Sequence, residues 1–158
     1  KAMNMVALVA QYLGEAGRLV AAEQGFELEI GKLLISGKID RVEELQDGSV
    51  LAVDLKTGRT PTTQEAAENR QVALYQLALG KVHPEAKAVK GRLVYVGAEK
   101  LKVMEQPVLE DERLAGLETL MKKVELGAGG NTFEAYLDEH CAEDATCKLL
   151  IGRVVTGG

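Results

Sequence analysis

Cysteine is scarce in this sequence: Cys141 and Cys147 are the only two in 158 residues. Two thiols cannot build a disulfide framework, and a chain of this length can bury a core without one. Long apolar runs are missing as well. No stretch approaches the ~20 consecutive apolar residues of a membrane-spanning helix, and none joins a basic start, an apolar centre and a cleavage site, so a soluble intracellular protein with no membrane partner is expected. Basic charge is in deficit, with 19 Lys and Arg against 24 Asp and Glu and a formal net charge of −5. A stand-alone nucleic-acid binder normally carries a basic face that displaces counterions, which this composition does not advertise. A protein that holds divalent cations is compatible with it, because ligating carboxylates push the net charge negative and bound ions restore part of it. No G-x-x-x-x-G-K-(S/T) phosphate loop occurs, so ATP hydrolysis does not belong to these residues.

What is present is the composition of one folded domain, 46% hydrophobic and 27% charged. The chain starts at Lys1 and Ala2 and ends on Gly157 and Gly158, and is expected to be a segment of a longer polypeptide. Apolar residues recur at helical spacing from Met3 to Ala22, with Gly14 and Gly17 as weak points, which predicts a first helix with a possible break. Alternation predicts strands over Phe26–Ile30, Leu33–Glu44 and Val50–Thr57, the last two as an antiparallel hairpin. After Pro61, Thr62 and Glu65 read as a capping box opening a helix that runs to Gly80. Two more strands are predicted at Gly91–Val96 and Lys102–Val108, then a helix at Glu110–Leu126 closed by glycines, and a short helical piece from Thr132 to His140. With no repeat and no linker, residues 1–158 read as a single α/β domain with a mixed sheet.

Chemistry concentrates in GKIDRVEELQDGSVLAVDLKTG, Gly37 to Gly58. Asp54 and Lys56 are two apart in a strand and so share a face, away from Val53 and Leu55. Whether Asp40 joins them depends on the parity of the hairpin loop. A two-residue loop at Asp47 and Gly48 would pair Asp40 with Leu55. A three-residue loop of Gln46, Asp47 and Gly48 pairs Asp40 with Asp54 and sets Gly48 at the left-handed position, and this loop, or a bulge with the same effect, is the prediction. Facing aspartates repel unless a cation sits between them, and oxygen ligands suit Mg²⁺ or Mn²⁺. An isolated D-x-K could equally be a local ion pair on an exposed hairpin. Gln71 and Tyr75, four apart, fall on one face of the following helix, as any half-buried helix face would present. Lys38, Arg41 and Arg59 lie near enough in sequence to contact phosphates.

GKIDRVEELQDGSVLAVDLKTGRTP followed by QVALYQLAL resembles the signature region of the RecB-family nucleases, which join a G-x-(I/V)-D-R strand, a D-x-K-T-G strand and a Q-x-x-x-Y helix in one active site. The resemblance implies a PD-(D/E)XK restriction-endonuclease-like core, a central mixed sheet flanked by helices. It makes Asp40 and Asp54 metal ligands, Lys56 the catalytic lysine, and Gln71 and Tyr75 active-site support. Glu23 in EQGF resembles a further acidic metal ligand, with a solvated glutamate at a helix end as the alternative. RLVYVG and CKLLIGRVVTGG look like the carboxy-terminal regions of actinobacterial UvrD/RecB-like helicase-nucleases. The implied function is Mg²⁺- or Mn²⁺-dependent hydrolysis of DNA, as an exonuclease in end processing and recombinational repair; the alternative is a nuclease-like module that guides DNA without cutting it. Implied partners are DNA, helicase domains of the same parent chain and a second helicase-nuclease subunit, in the bacterial cytoplasm at the nucleoid. Two departures stand out. Many relatives carry an upstream active-site histidine, whereas His83 and His140 lie downstream. Relatives with an iron-sulfur cluster use four cysteines, so Cys141 and Cys147 argue against a cluster in this segment.

Overall fold

The structure, a computed structural model, describes residues 2–130, with side chains up to residue 126. The elements run α1 (Ala2–Glu15), β1 (Arg18–Ile30), β2 (Leu33–Glu44), β3 (Val50–Lys56), α2 (Thr63–Ala67), α3 (Arg70–Val82), β4 (Val89–Tyr95), β5 (Lys102–Gln106) and α4 (Asp111–Gly130). Lys1–Met121 make up one compact unit; a second begins at Lys122, and only the end of α4 falls within its described part.

The five strands lie side by side in chain order. β1–β2, β2–β3 and β4–β5 are antiparallel, and β3–β4 is parallel. A parallel pair needs a crossover, supplied by α2 and α3. β3 is the central strand, and its sequence VLAVDLK is buried from Val50 to Asp54. A strand covered on both faces is expected to read as a continuous apolar run. Asp54 is therefore a charge inserted into core sequence.

Alternate residues of the strands feed two cores. Val42, Ala52, Leu93 and Met104 pack with Val72, Tyr75 and Leu79 of α3. Leu51, Val53, Val94 and Val96 pack with Leu8 and Tyr12 of α1. Each such buried side chain contributes about 1.5–3 kcal/mol. The result is the expected α/β architecture, a mixed sheet flanked by helices.

Three predicted elements need correction. The first helix ends at Glu15, and Arg18–Ile30 is one long strand paired to β2, so Leu19 and Val20 belong to the sheet. Gly17 marks the change of direction: a Cβ there would lie 2.7 Å from the Glu44 carbonyl oxygen. The helix predicted from Pro61 to Gly80 opens with the expected Thr62–Glu65 capping box but divides after Ala67. Asn69 caps a second helix through Val72 N–H at 3.0 Å. Buried Gln106 holds the break by donating to the carbonyls of Ala66, Ala67 and Asn69. Finally, α4 continues through Gly127 and Gly129 to Gly130. The predicted piece at Thr132–His140 lies outside the described residues.

Candidate active site

The hairpin between β2 and β3 decides the site. Leu45 N–H bonds to Ser49 O at 2.9 Å, leaving Gln46, Asp47 and Gly48 as a three-residue loop, with Gly48 at φ +80°. The Asp47 carboxylate accepts from Ser49 N–H at 2.8 Å and pairs with Lys90 at 2.8 Å, which tightens the turn. Pairing then runs Glu44 to Val50, Val42 to Ala52 and Arg41 to Val53, and one further step sets Asp40 opposite Asp54. This is the register that the three-residue loop predicts.

Asp40 sits where the β2–β3 ladder ends. Its Oδ2 accepts a 2.8 Å hydrogen bond from Leu55 N–H. Asp54 is only 2% exposed. Its Oδ2 lies 2.7 Å from Lys56 Nζ, off the direction of a hydrogen bond, and has no other partner. Lys56 Nζ donates to Gln71 Oε1 at 2.7 Å, and Gln71 Nε2 donates to the Tyr75 hydroxyl at 2.7 Å. One polar chain thus runs Asp54–Lys56–Gln71–Tyr75 from β3 onto α3. The one-turn spacing of Gln71 and Tyr75 and the capped start of α3 aim both at the lysine.

The charges explain the site's electrostatics. Burial raises the Asp54 carboxyl above its ordinary range, the adjacent Lys56 ammonium opposes that rise, and the Asp40 charge adds to it. The Tyr75 phenol is raised first by burial, against the Gln71 hydrogen bond, with Asp54 and Asp40 adding to the rise. Tyr95 is likewise raised by burial and then by Asp54.

Tyr95 is a member of this neighbourhood that the sequence reading missed. It pairs in register with Lys56 across the parallel β3–β4 ladder. Its only sequence signal was an aromatic within an apolar strand. The ends of β3 and β4 converge tightly there, with Val96 N–H donating to Lys56 O at 2.9 Å. A Cβ on Gly97 would lie 1.9 Å from the Thr57 carbonyl oxygen.

Other candidates fall elsewhere. Glu23 belongs to β1, not to a helix end. By register it stands across from Asp40, yet its backbone is left-handed (φ 49°) and its exposed carboxylate lies 3.5 Å from Lys38. Among the described residues no group of three His, Cys, Asp or Glu side chains forms a metal-binding cluster, so Glu23 does not complete a three-carboxylate set with Asp40 and Asp54. Arg59 pairs with Glu65 at 2.9 Å, and Arg41 turns to the reverse face to meet Glu43 at 2.5 Å. Lys38, Arg41 and Arg59 are thus each engaged by an acid. His83 caps the opposite end of α3 from Gln71. His140, Cys141 and Cys147 lie outside the described residues.

The sequence matches the PD-(D/E)XK nuclease superfamily over residues 2–149. The chain belongs to that superfamily. Among solved structures, that of SSO0001 is similar at 20% identity with a TM-score of 0.48, covering 79% of this chain. This chain spans 58% of the length of that one. No curated protein matches the sequence significantly. Asp54 and Lys56 form a D-x-K sequence at the end of the central strand.

The donor set can be tested against a divalent cation. Asp40 and Asp54 present carboxylates from neighbouring strands, and one buried oxygen, Asp54 Oδ2, lacks a hydrogen bond. Buried polar atoms are normally fully satisfied, so a carboxylate oxygen with the Lys56 ammonium as its one neighbour, beside a second carboxylate, fits a cation. Mg²⁺ commonly takes one or two carboxylates and fills its remaining positions with water and substrate phosphate. Two side-chain ligands are therefore enough.

Proposed function

We propose that this chain is a Mg²⁺- or Mn²⁺-dependent deoxyribonuclease domain of the RecB-like type, hydrolysing DNA phosphodiesters within a helicase-nuclease. The observation that carries the reading is the buried Asp54 carboxylate, set across from Asp40 with its Oδ2 against the Lys56 ammonium and no further partner.

Asp40 and Asp54 would hold the cation, which when bound supplies Lewis acidity toward a phosphodiester. Leu55 N–H holds the Asp40 carboxylate by its second oxygen and so limits its rotation. Lys56 is the cation in contact with Asp54 on this face. Anchored by Asp54 and by Gln71 Oε1, it is placed to position an attacking water or to stabilise charge developing on the phosphate. Gln71 fixes the lysine, and Tyr75 fixes Gln71. With the three nearby basic residues engaged by acids, DNA affinity comes from elsewhere in the assembly, for which attached helicase domains are the natural source.

Digestion of single- and double-stranded DNA with Mg²⁺ or Mn²⁺ tests this, comparing the wild type with Asp54→Ala and Lys56→Ala. Cleavage by the wild type alone supports the assignment. No cleavage by a folded, DNA-binding wild type with either metal refutes it and leaves a guiding module that does not cut.

A further inference from the structure

The face of the sheet behind the aspartates carries a second charged assembly that the proposed chemistry does not use. Glu43 is fully buried and accepts three hydrogen bonds: from the Tyr12 hydroxyl at 3.0 Å, from Gly17 N–H at 2.9 Å and from Arg41 Nε at 2.5 Å. Tyr12 also accepts from Arg92 at 3.4 Å, and Arg92 pairs with Glu105 at 2.7 Å. The guanidinium of Arg92 lies 5.9 Å from the centre of the Tyr12 ring. These groups join α1 to β2, β4 and β5, and Arg41, Arg92 and Glu105 lie in one row that crosses the whole sheet: Ala22, Arg41, Val53, Arg92 and Glu105 are successive cross-strand partners. The next row along contains Asp40 and Asp54, whose side chains point the other way.

We infer that Glu43 and Arg41 are positioning residues for the aspartate pair: a clamp on the reverse face that holds β2 in the register presenting Asp40 to Leu55 N–H and to Asp54. The β2–β3 ladder ends at the Arg41–Val53 pair, so on its β3 side Asp40 lies just beyond the last paired residues, and a displacement of β2 there would move it off Leu55 N–H. Arg41 is adjacent to Asp40 in sequence and Glu43 is three residues on. Glu43 is held from three directions, by α1 through Tyr12, by the α1–β1 turn through Gly17 and by Arg41, and Arg41 is held by Glu43. The arginine following the aspartate in G-K-I-D-R therefore works on the back of the sheet and not on phosphate. The inference concerns the site proposed above, yet its first readout does not depend on metal or on cleavage.

That readout is hydrogen exchange at the Leu55 amide, whose acceptor is the Asp40 carboxylate. In Glu43→Gln, and more weakly in Tyr12→Phe, Leu55 exchange should accelerate roughly tenfold or more at temperatures where the variants stay folded. Leu117→Ala, a cavity between α3 and α4 chosen as a destabilised control, should leave Leu55 no more affected than the rest of β3. Mn²⁺ affinity should fall about 10–100-fold in Glu43→Gln, the usual effect of removing support from behind a ligand. Unchanged Leu55 protection in both Glu43→Gln and Tyr12→Phe overturns the inference. Accelerated Leu55 exchange in a protein that binds no Mn²⁺ keeps the clamp and removes the metal site instead.

Discussion

Glu43 and Asp54 are carboxylates on adjacent strands, both almost wholly removed from solvent, and they face opposite sides of the same sheet. Glu43 is surrounded by a phenol, a backbone amide and a guanidinium that satisfy it. Asp54 has one oxygen with no hydrogen bond, a raised carboxyl pKa caused by burial, and a second aspartate across the ladder. Burying an ion is tolerable when its partners are supplied and costly when they are not. The reverse face thus satisfies its carboxylate fully, whereas the front face leaves Asp54 with the Lys56 ammonium alone, and under the proposed function a divalent cation would complete its partners.

Four variants break or sharpen that contrast. Glu43→Ala leaves Arg41 and Tyr12 without their acceptor and should destabilise the fold by about 3–5 kcal/mol, read from chemical denaturation. A loss below about 1 kcal/mol would mean that the two carboxylates are not differently treated. Lys56→Ala should lower single-turnover cleavage by about 10²–10³ and also destabilise the fold at neutral pH by about 1–3 kcal/mol, since it strips the buried Asp54 carboxylate of the ammonium beside it. Gly97→Ala forces the ends of β3 and β4 apart and should cost about 1–3 kcal/mol in thermal or chemical unfolding, because the close atom is backbone and cannot swing aside.

Asp54→Asn should be the mildest for stability, within about 1 kcal/mol of wild type at acid pH, while abolishing metal-dependent cleavage. Its pH dependence carries a sign. The folded carboxyl titrates above its ordinary value of 3.8, so in the wild type the unfolded chain loses its proton first and folding stability falls as pH rises through that window. The Asn variant should therefore gain on the wild type as pH rises above about 4, levelling off beyond the folded pKa. Parallel stability curves from acid to neutral pH, measured without divalent metal, would show that Asp54 is not held in an unfavourable environment.

Much of the site was legible before any coordinates. Period-two alternation located β2 to the residue, and the choice between two loop lengths, argued from Gly48, put Asp40 across from Asp54. Local patterns failed where a long-range partner decided the outcome. Leu19 and Val20 fit a helical stripe, but β2 extends to Glu44 and offers them a ladder, and pairing with that strand wins over the weak propensity of a segment flanked by Gly14 and Gly17. The break between α2 and α3 depends on Gln106, some forty residues away in sequence, capping carbonyls that would otherwise be unpaired at a helix end. Nothing in the sequence singled out Glu43, because its partners Tyr12 and Gly17 lie some thirty residues away in the chain.

By itself the sequence determined the local chemistry: which strands alternate, which turn requires a left-handed glycine, and that an aspartate and a lysine two apart share one face of a core strand. These follow from backbone geometry, which acts over a few residues. Tertiary structure alone decided which charges would be relieved. Glu43 is satisfied because α1 brings Tyr12 and Gly17 to it, Arg41 is drawn away from the front face, and Glu23 is left in solvent beside Lys38 by a left-handed turn of β1. Burial and pairing are properties of neighbours distant in the chain, and it is they that separate the fully satisfied carboxylate of Glu43 from that of Asp54.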